Sequence, residues 1–252
     1  MTSITEKTGS QQVSYRLGVD IGGTFTDIVL VGPSGQIMTR KVSSTEDDYA
    51  RGIVTGIRDI LASVDCQSVT VSEIMHGTTV ASNTILQMSG ARTGLITTSG
   101  FRDVLELRTL RMPRLYDLKW EKPPPLVERY LRVEVDERID RDGEIQKPLD
   151  RTDARQAIER LLNEDVEAIA ICLINSFVNP VHEQLILEVM QEMAPDLPCC
   201  ISYNVLPEIK EYERTSTTVI NAYLLPVVAS YLDSLVARLQ DEGVQAPLLL
   251  MQ

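Results

Sequence analysis

An aspartate stands in the middle of an otherwise apolar strand pattern. From Tyr15 to Ile21 the residues alternate, with Leu17, Val19 and Ile21 on one face and Gly18, Asp20 and Gly22 on the other. A carboxylate there is costly unless a cation or hydrogen-bond donors satisfy it. Directly after it, Gly22 and Gly23 leave backbone N–H groups unshielded, Thr24 and Thr26 add hydroxyls, and Asp27 closes the run. Amides and hydroxyls suit the oxygens of a nucleotide phosphate. Asp20 suits the accompanying Mg²⁺ or its water shell, because Mg²⁺ keeps several waters and uses only one or two carboxylates. Asp20 is therefore the candidate metal ligand and catalytic carboxylate, with Gly22, Gly23, Thr24, Thr26 and Asp27 as candidate phosphate-binding residues. The competing reading is a plain Gly-Gly hairpin beside an exposed aspartate.

His76-Gly77-Thr78-Thr79 forms a second cluster, at the end of a predicted strand just before a helix. Free amides and the helix dipole at such a place suit an anion, and histidine exchanges a proton near neutrality. His76, one of two histidines, is the candidate for catalytic and substrate contact, together with Thr78, Thr79 and Asn83. The alternative is a helix cap with a packing histidine. Arg102, Arg108, Arg111 and Arg114 concentrate positive charge. Guanidinium pairs bidentately with carboxylates, which makes Arg111 a candidate contact to a carboxylate-bearing substrate; solvated loop arginines are the competing explanation. His182-Glu183 and Asp150 to Asp153 read as helix starts without chemistry, and Arg214 to Thr218 as a helix-initiating or structural segment.

The elements that must position these residues follow in a definite order. Two further strands, Thr24 to Val31 and Gln36 to Val42, come after the glycine turn, the second beyond Gly32-Pro33-Ser34-Gly35. A helix with Tyr49, Ile53, Val54, Ile57, Ile60 and Leu61 on one face follows, with Glu46, Asp47 and Asp48 at its start. A strand ending at His76, a helix over about 79–88 and a strand over Thr93 to Thr98 complete the unit. Three strands, helix, strand, helix, strand predicts a mixed sheet flanked by helices, an α/β class.

Residues 101–127, with Pro113 and Pro123-Pro124-Pro125, read as a long excursion. A second α/β unit starts near residue 130 and includes a helix through Ala154, Ala157, Ile158, Leu161 and Leu162, a buried strand Ala168 to Leu173 and a helix over about 182–193. From Pro207 to Gln240 the apolar spacing is helical, with Pro226 kinking or dividing it. The expected organisation is a disordered leader over 1–14, a phosphate-binding lobe over 15–130, the second unit over 131–206 and a truncated helical segment over 207–252. The apolar run Pro247 to Met251 reads as a strand in need of a partner, and hence the chain as a fragment or an incomplete subunit.

Composition sets the outer limits. The 252 residues carry 24 basic and 36 acidic side chains, a formal net charge of −12, and 43% are hydrophobic. That composition fits a folded chain and argues against a phosphate-backbone binder, so no nucleic acid partner is expected. No run approaches the ~18 consecutive apolar residues of a membrane span, and residues 1–12 lack the apolar stretch of a signal peptide. Cys66, Cys172, Cys199 and Cys200 fit neither a disulfide framework nor a CxxC knuckle. The expected setting is the reducing cytoplasm, with no membrane partner.

Several segments together resemble one family. They are Asp20-Ile21-Gly22-Gly23-Thr24-Phe25-Thr26-Asp27, His76-Gly77-Thr78-Thr79-Val80-Ala81-Ser82-Asn83, Gly100-Phe101-Arg102-Asp103-Val104-Leu105-Glu106, Pro113 to Leu118, Asn179 to Glu183 and Glu213 to Leu224. From about residue 15 to 252 the chain is similar to the hydantoinase A and 5-oxoprolinase family, within the actin, hexokinase and sugar-kinase superfamily. The resemblance implies a ribonuclease H-like mixed sheet of βββαβαβ type as the first lobe of an actin-like ATPase.

It also implies ATP and Mg²⁺ as cofactors and the hydrolysis of a cyclic amide, a hydantoin or 5-oxoproline, by phosphoryl activation of the amide oxygen. The family includes ATP-dependent carboxylases of the acetone and acetophenone type, which act on a ketone through an enol. Its members imply a second large subunit of the hydantoinase B type, or a later homologous half, without which these 252 residues bind ATP weakly and turn over poorly. A sugar kinase, or a non-catalytic nucleotide-binding or assembly fragment, are the other readings. Where many relatives carry a Gly-Arg-Gln triplet, this chain has Arg108-Thr109-Leu110, a departure that bears on the substrate.

Overall fold

A computed structural model describes residues 13–45, 48–64, 69–109, 116–117 and 119–251. The chain runs β1 (Val13–Ile21), β2 (Phe25–Val31), β3 (Ile37–Ser43), α1 (Tyr49–Ala62), β4 (Val69–Thr78) and α2 (Val80–Leu86). It continues with β5 (Thr93–Thr98), α3 (Val104–Leu107), β6 (Arg132–Val135), β7 (Arg138–Ile139), β8 (Ile145–Lys147) and α4 (Arg151–Leu162). The last elements are β9 (Ala168–Cys172), α5 (Val181–Met193), β10 (Cys199–Ile201), α6 (Ser202–Val205), α7 (Glu211–Asp241) and β11 (Leu248–Leu250). The fold is mixed α/β, as the element order predicts. Two compact units divide it, one of residues 1–83 with 228–252 and one of residues 84–227. Boundaries expected at 130 and 206 do not coincide with this division. Most of the expected leader, residues 1–12, lies outside the described residues, as do Arg111, Cys66, Glu46 and Asp47.

The first unit is built on a five-stranded sheet in the order β11-β4-β1-β2-β3. β1–β2 and β2–β3 are antiparallel, while β4 and β11 run parallel to β1. The alternation read over residues 15–21 is realised: Tyr15, Leu17, Val19 and Ile21 are buried on one face with Thr26, Ile28 and Leu30, and Asp20, Phe25 and Asp27 are exposed on the other. α1 lies close to the sheet because of two glycines one turn apart. A Cβ on Gly56 would come within 2.3 Å of Ile28 Cδ1, and one on Gly52 within 3.2 Å of Thr45 Oγ1. The helix starts where Asp48 accepts a hydrogen bond from the Arg51 amide at 3.2 Å.

Two sequence expectations change here. Thr93–Thr98 is a strand, but it is not the last strand of the sheet that carries Asp20. That place belongs to β11, whose Leu248, Leu249 and Leu250 pair with Ile74, Met75 and His76. The partner that the run 247–251 needs is thus β4 of the same chain. β5 is buried along its whole length, and a strand buried on both faces carries no alternation to say which sheet it joins.

The second unit has a parallel sheet in the order β10-β9-β5-β6, with every residue of β5 and β9 buried. α4 and α5 supply Ala157, Ile158, Leu161, Ile186 and Val189 to its core. His182 and Glu183, read as a helix start, sit at the beginning of α5 and are both buried. His182 Nδ1 lies 2.6 Å from Glu137 Oε2, and Glu183 accepts from the Leu173 and Tyr203 amides and the Ser202 hydroxyl at 2.9, 3.0 and 2.6 Å. Cys172, Cys199 and Cys200 are free thiols, and burial pushes Cys199 up to about 12.

α7 is one continuous helix of 31 residues through Pro226, rather than two. By length and composition it could cross a membrane. Along it Val219, Ala222 and Tyr223 are buried in the second unit, and Tyr231, Leu235 and Leu239 in the first.

Candidate functional site

The strand register builds one row of residues across the exposed face of the first sheet. Asp20 stands opposite Gly77 on β4 and opposite Asp27 on β2, and Asp27 stands opposite Lys41 on β3. Two carboxylates directly facing each other across a strand pair repel. The Lys41 ammonium resolves half of that conflict, lying 2.8 Å from Asp27 Oδ1 and over the Phe25 ring at 5.3 Å. Among the described residues, no hydrogen bond or ion pair holds the Asp20 carboxylate. Gly77 leaves it space, since a Cβ at that position would meet Asp20 Oδ1 at 3.1 Å.

Gly22, Gly23 and Thr24 lie immediately beyond β1, whose C-terminal end runs parallel to that of β4. Ligands of parallel α/β sheets bind at such ends. The turn is pinned from behind. The Gly22 amide donates to the Phe25 carbonyl at 2.9 Å, the Ser44 hydroxyl to the Gly22 carbonyl at 2.9 Å and the Ser44 amide to the Thr24 carbonyl at 2.9 Å. Those bonds leave the Gly23 and Thr24 amides without partners among the described residues. Gly23 has nothing within 4 Å of where a Cβ would be, and neither turn glycine takes a positive φ. Bare, approachable backbone is therefore what the pair supplies, in place of unusual dihedral angles.

The remaining candidates divide. Thr26 is buried on the opposite face, its hydroxyl 3.0 Å from that of Ser44, so it braces the turn from the core side and does not join the row. His76 is likewise 1% exposed and faces the core with Val19, because strand alternation sends residues 76 and 77 to opposite faces. Its Nδ1 lies 3.3 Å from the Val19 carbonyl and its Nε2 2.5 Å from the Tyr231 hydroxyl. A carbonyl only accepts, so Nδ1 carries the hydrogen and Nε2 accepts from Tyr231. The Thr78 hydroxyl accepts from the Val80 amide at 3.1 Å.

Burial pushes the His76 ring below its ordinary value, against weaker opposing effects of the Val19 carbonyl and the Asp20 charge, and burial raises Tyr231. Both groups are thus held neutral. The structure does not bring His76 to the exposed row, and it acts there as a buried brace. Thr79 donates to the Ile21 carbonyl at 3.0 Å, and Asn83 Nδ2 lies 3.4 Å from Thr79 Oγ1. These two hold the end of β1 from the α2 side. α2 is only seven residues long, too short for the anion site expected at its start.

Sequence reasoning passed over Gly77, Lys41, Ser44 and Tyr231. Lys41 and Ser44 become visible only once the β2–β3 register is known, and Tyr231 lies 155 residues from His76. Gly77 carried a signal, a glycine directly after the histidine, but which face it serves depends on its pairing with β1. Among the described residues no three His, Cys, Asp or Glu side chains converge on a metal position. A cation held by Asp20 would have to take its other ligands from phosphate oxygens and water, a donor set that suits Mg²⁺ and that a single unpaired carboxylate fits.

A family model described as the hydantoinase/oxoprolinase N-terminal region matches residues 16–194. Caprolactamase subunit alpha of Pseudomonas jessenii is 37% identical over 242 residues, covering 92% of this chain and 34% of its own. The crystal structure of ATP-dependent caprolactamase from Pseudomonas jessenii is similar with a TM-score of 0.84 at 36% identity, covering 94% of this chain and 35% of that one. A nucleotide-free structure of acetone carboxylase, an enzyme of ATP-dependent acetone carboxylation, gives a TM-score of 0.81 at 28% identity, over 93% of this chain and 35% of that one. The chain spans about a third of the length of these relatives. Matched by the family's N-terminal region over most of its residues, and alike in structure to an ATP-dependent caprolactamase, the chain belongs to the hydantoinase/oxoprolinase family.

Proposed function

We propose that this chain is the N-terminal, phosphate-binding part of an ATP-dependent enzyme that opens a cyclic amide. Its first unit acts as the ribonuclease H-like lobe of an actin-type ATPase fold. The observation that carries the reading is the Asp20 carboxylate, unpartnered among the described residues, beside the free amides of Gly23 and Thr24. Asp20 holds Mg²⁺ or its water shell, and the two amides with the Thr24 hydroxyl receive phosphate oxygens. Bound there, Mg²⁺ neutralises charge on the phosphates during transfer to an amide oxygen. Asp27, neutralised by Lys41, sets the local charge and leaves the cation to Asp20.

The amide oxygen attacks the terminal phosphorus of ATP and ADP departs. Water then adds to the activated carbon and the C–N bond breaks, leaving an amine and an acyl phosphate; a second water hydrolyses the acyl phosphate, and phosphate and the ring-opened acid are released. The remaining two-thirds of a full-length family member supplies the other nucleotide contacts, and a second subunit completes the enzyme, as the subunit naming of the caprolactamase relative supports. The experiment is calorimetric titration of the full-length protein with ATP and Mg²⁺. Asp20→Ala weakens Mg²⁺-dependent binding at least tenfold, about 1.4 kcal/mol; unchanged binding overturns the reading.

The likeness to acetone carboxylase favours a second reading, ATP-dependent carboxylation of a ketone. Phosphate release that depends on bicarbonate and a ketone supports it, and release that depends on a hydantoin, 5-oxoproline or another lactam supports the first.

A further inference from the structure

We infer that Gly77 is a positioning residue for Asp20, its missing side chain being the seat in which the carboxylate rests. The inference rests on the proposed role of Asp20 in binding Mg²⁺ with nucleotide. Three observations lead to it. The β1–β4 register places Gly77 beside Asp20 on the exposed face of the sheet. A Cβ at Gly77 would lie 3.1 Å from Asp20 Oδ1, while its next neighbours, Asp20 Cγ and the Val19 carbonyl, lie at the ordinary contact distances of 3.8 and 3.9 Å. Gly77 also lies outside the left-handed region, so an alanine there meets no backbone strain. A methyl group at this position therefore acts on one partner, the carboxylate.

The strand that presents Gly77 is fixed from the other side of the sheet. His76, the preceding residue, is tied to the Val19 carbonyl on β1 and to Tyr231 on α7. Thr79, two residues on, donates to the Ile21 carbonyl of β1 at 3.0 Å. β4 cannot retreat to make room for a larger residue at 77 without breaking buried hydrogen bonds, so the Asp20 carboxylate is the group that moves. A displaced carboxylate loses its alignment toward a cation while the chain stays folded.

The test is a double-mutant cycle in the full-length protein, with ATP binding followed by calorimetry in the presence of Mg²⁺ and again in chelator. Gly77→Ala weakens Mg²⁺-dependent binding roughly tenfold and Gly77→Val more, as expected for a misplaced charge-assisted contact. Neither changes binding in chelator, and the thermal midpoint of Gly77→Ala is unchanged or raised, because the substitution restricts the unfolded chain. In an Asp20→Ala background, Gly77→Ala adds less than about a twofold effect, since interacting residues fail additivity.

If Asp20→Ala weakens binding and Gly77→Ala does not, the positioning role is wrong and the proposed function stands. Equal losses from Gly77→Ala with and without Asp20 also overturn the positioning role. So does a Gly77→Ala protein that fails to fold, because a methyl group is argued to fit. Indifference to Asp20→Ala itself overturns the function on which the inference depends.

Discussion

Asp20 and Asp27 face each other on neighbouring strands, and the difference between them is one ammonium group. Lys41 serves Asp27 alone, in an exposed pair of the kind that contributes about 0.2–1 kcal/mol. Its larger effect is on charge distribution. Lys41→Met leaves two uncompensated carboxylates side by side, so the variant is expected to gain more thermal stability from millimolar Mg²⁺ than the parent protein does. Equal gains in a melting titration would mean that the two aspartates do not share a cation.

The brace behind them responds to pH. Burial holds His76 below its ordinary 6.5. The unfolded chain therefore takes up a proton at this ring before the folded chain does. Stability is retained above about pH 6.5 and declines as pH falls through the lowered folded value. Melting temperature is expected to fall more steeply from pH 7 to pH 5 in the parent than in His76→Gln, and parallel slopes would exclude the ring as the cause.

Among the elements, α1 and α7 are positioned by contrasting means. α1 approaches the sheet through the absence of side chains at Gly52 and Gly56. Gly56→Leu drives atoms into Ile28 and Val42 and is expected to lower stability by about 1–3 kcal/mol in denaturant titrations. α7 is instead held by a polar contact. Tyr231→Phe strips the buried His76 Nε2 of its donor, with an expected cost of about 1–3 kcal/mol. A neutral outcome would show that the His76 ring finds another partner.

The periodicity of the sequence located the longer elements, including β1, α4 and α5, and not the short α3, β8, β10 and α6. It could not say that β5 leaves the first sheet, because a strand buried on both faces carries no alternation to orient it. Nor did it show that His76 faces inward. Parity sets residues 76 and 77 on opposite faces, but only the pairing of Val19 with His76 decides which face is the core.

At the level of the whole chain, one unit is continuous in sequence and the other is not. The core of the second unit draws on residues between Ala91 and Ala222 alone. A segment of residues 84–227 expressed by itself is expected to fold cooperatively, with a sharp thermal transition, whereas residues 1–83 alone are expected not to. A cooperative transition in the shorter piece would show that β11 and the end of α7 are dispensable to the first sheet. The corner of Asp20, Gly22, Gly23 and Thr24 was legible as a group because its residues are neighbours in sequence. The edge strand that closes its sheet was not, because Leu248 pairs with Ile74 across the entire second unit.

That pairing has a consequence during synthesis. On the ribosome, β4 emerges long before β11, and at about 5–20 residues per second the interval is roughly 10–30 s. Throughout it, the hydrogen-bonding edge of β4 faces solvent or a chaperone with no strand to cover it, an invitation to pair with another nascent chain. The second unit can fold meanwhile, so the corner around Asp20 would be the last part of these residues to mature. Its yield would then depend on how long an uncovered strand survives.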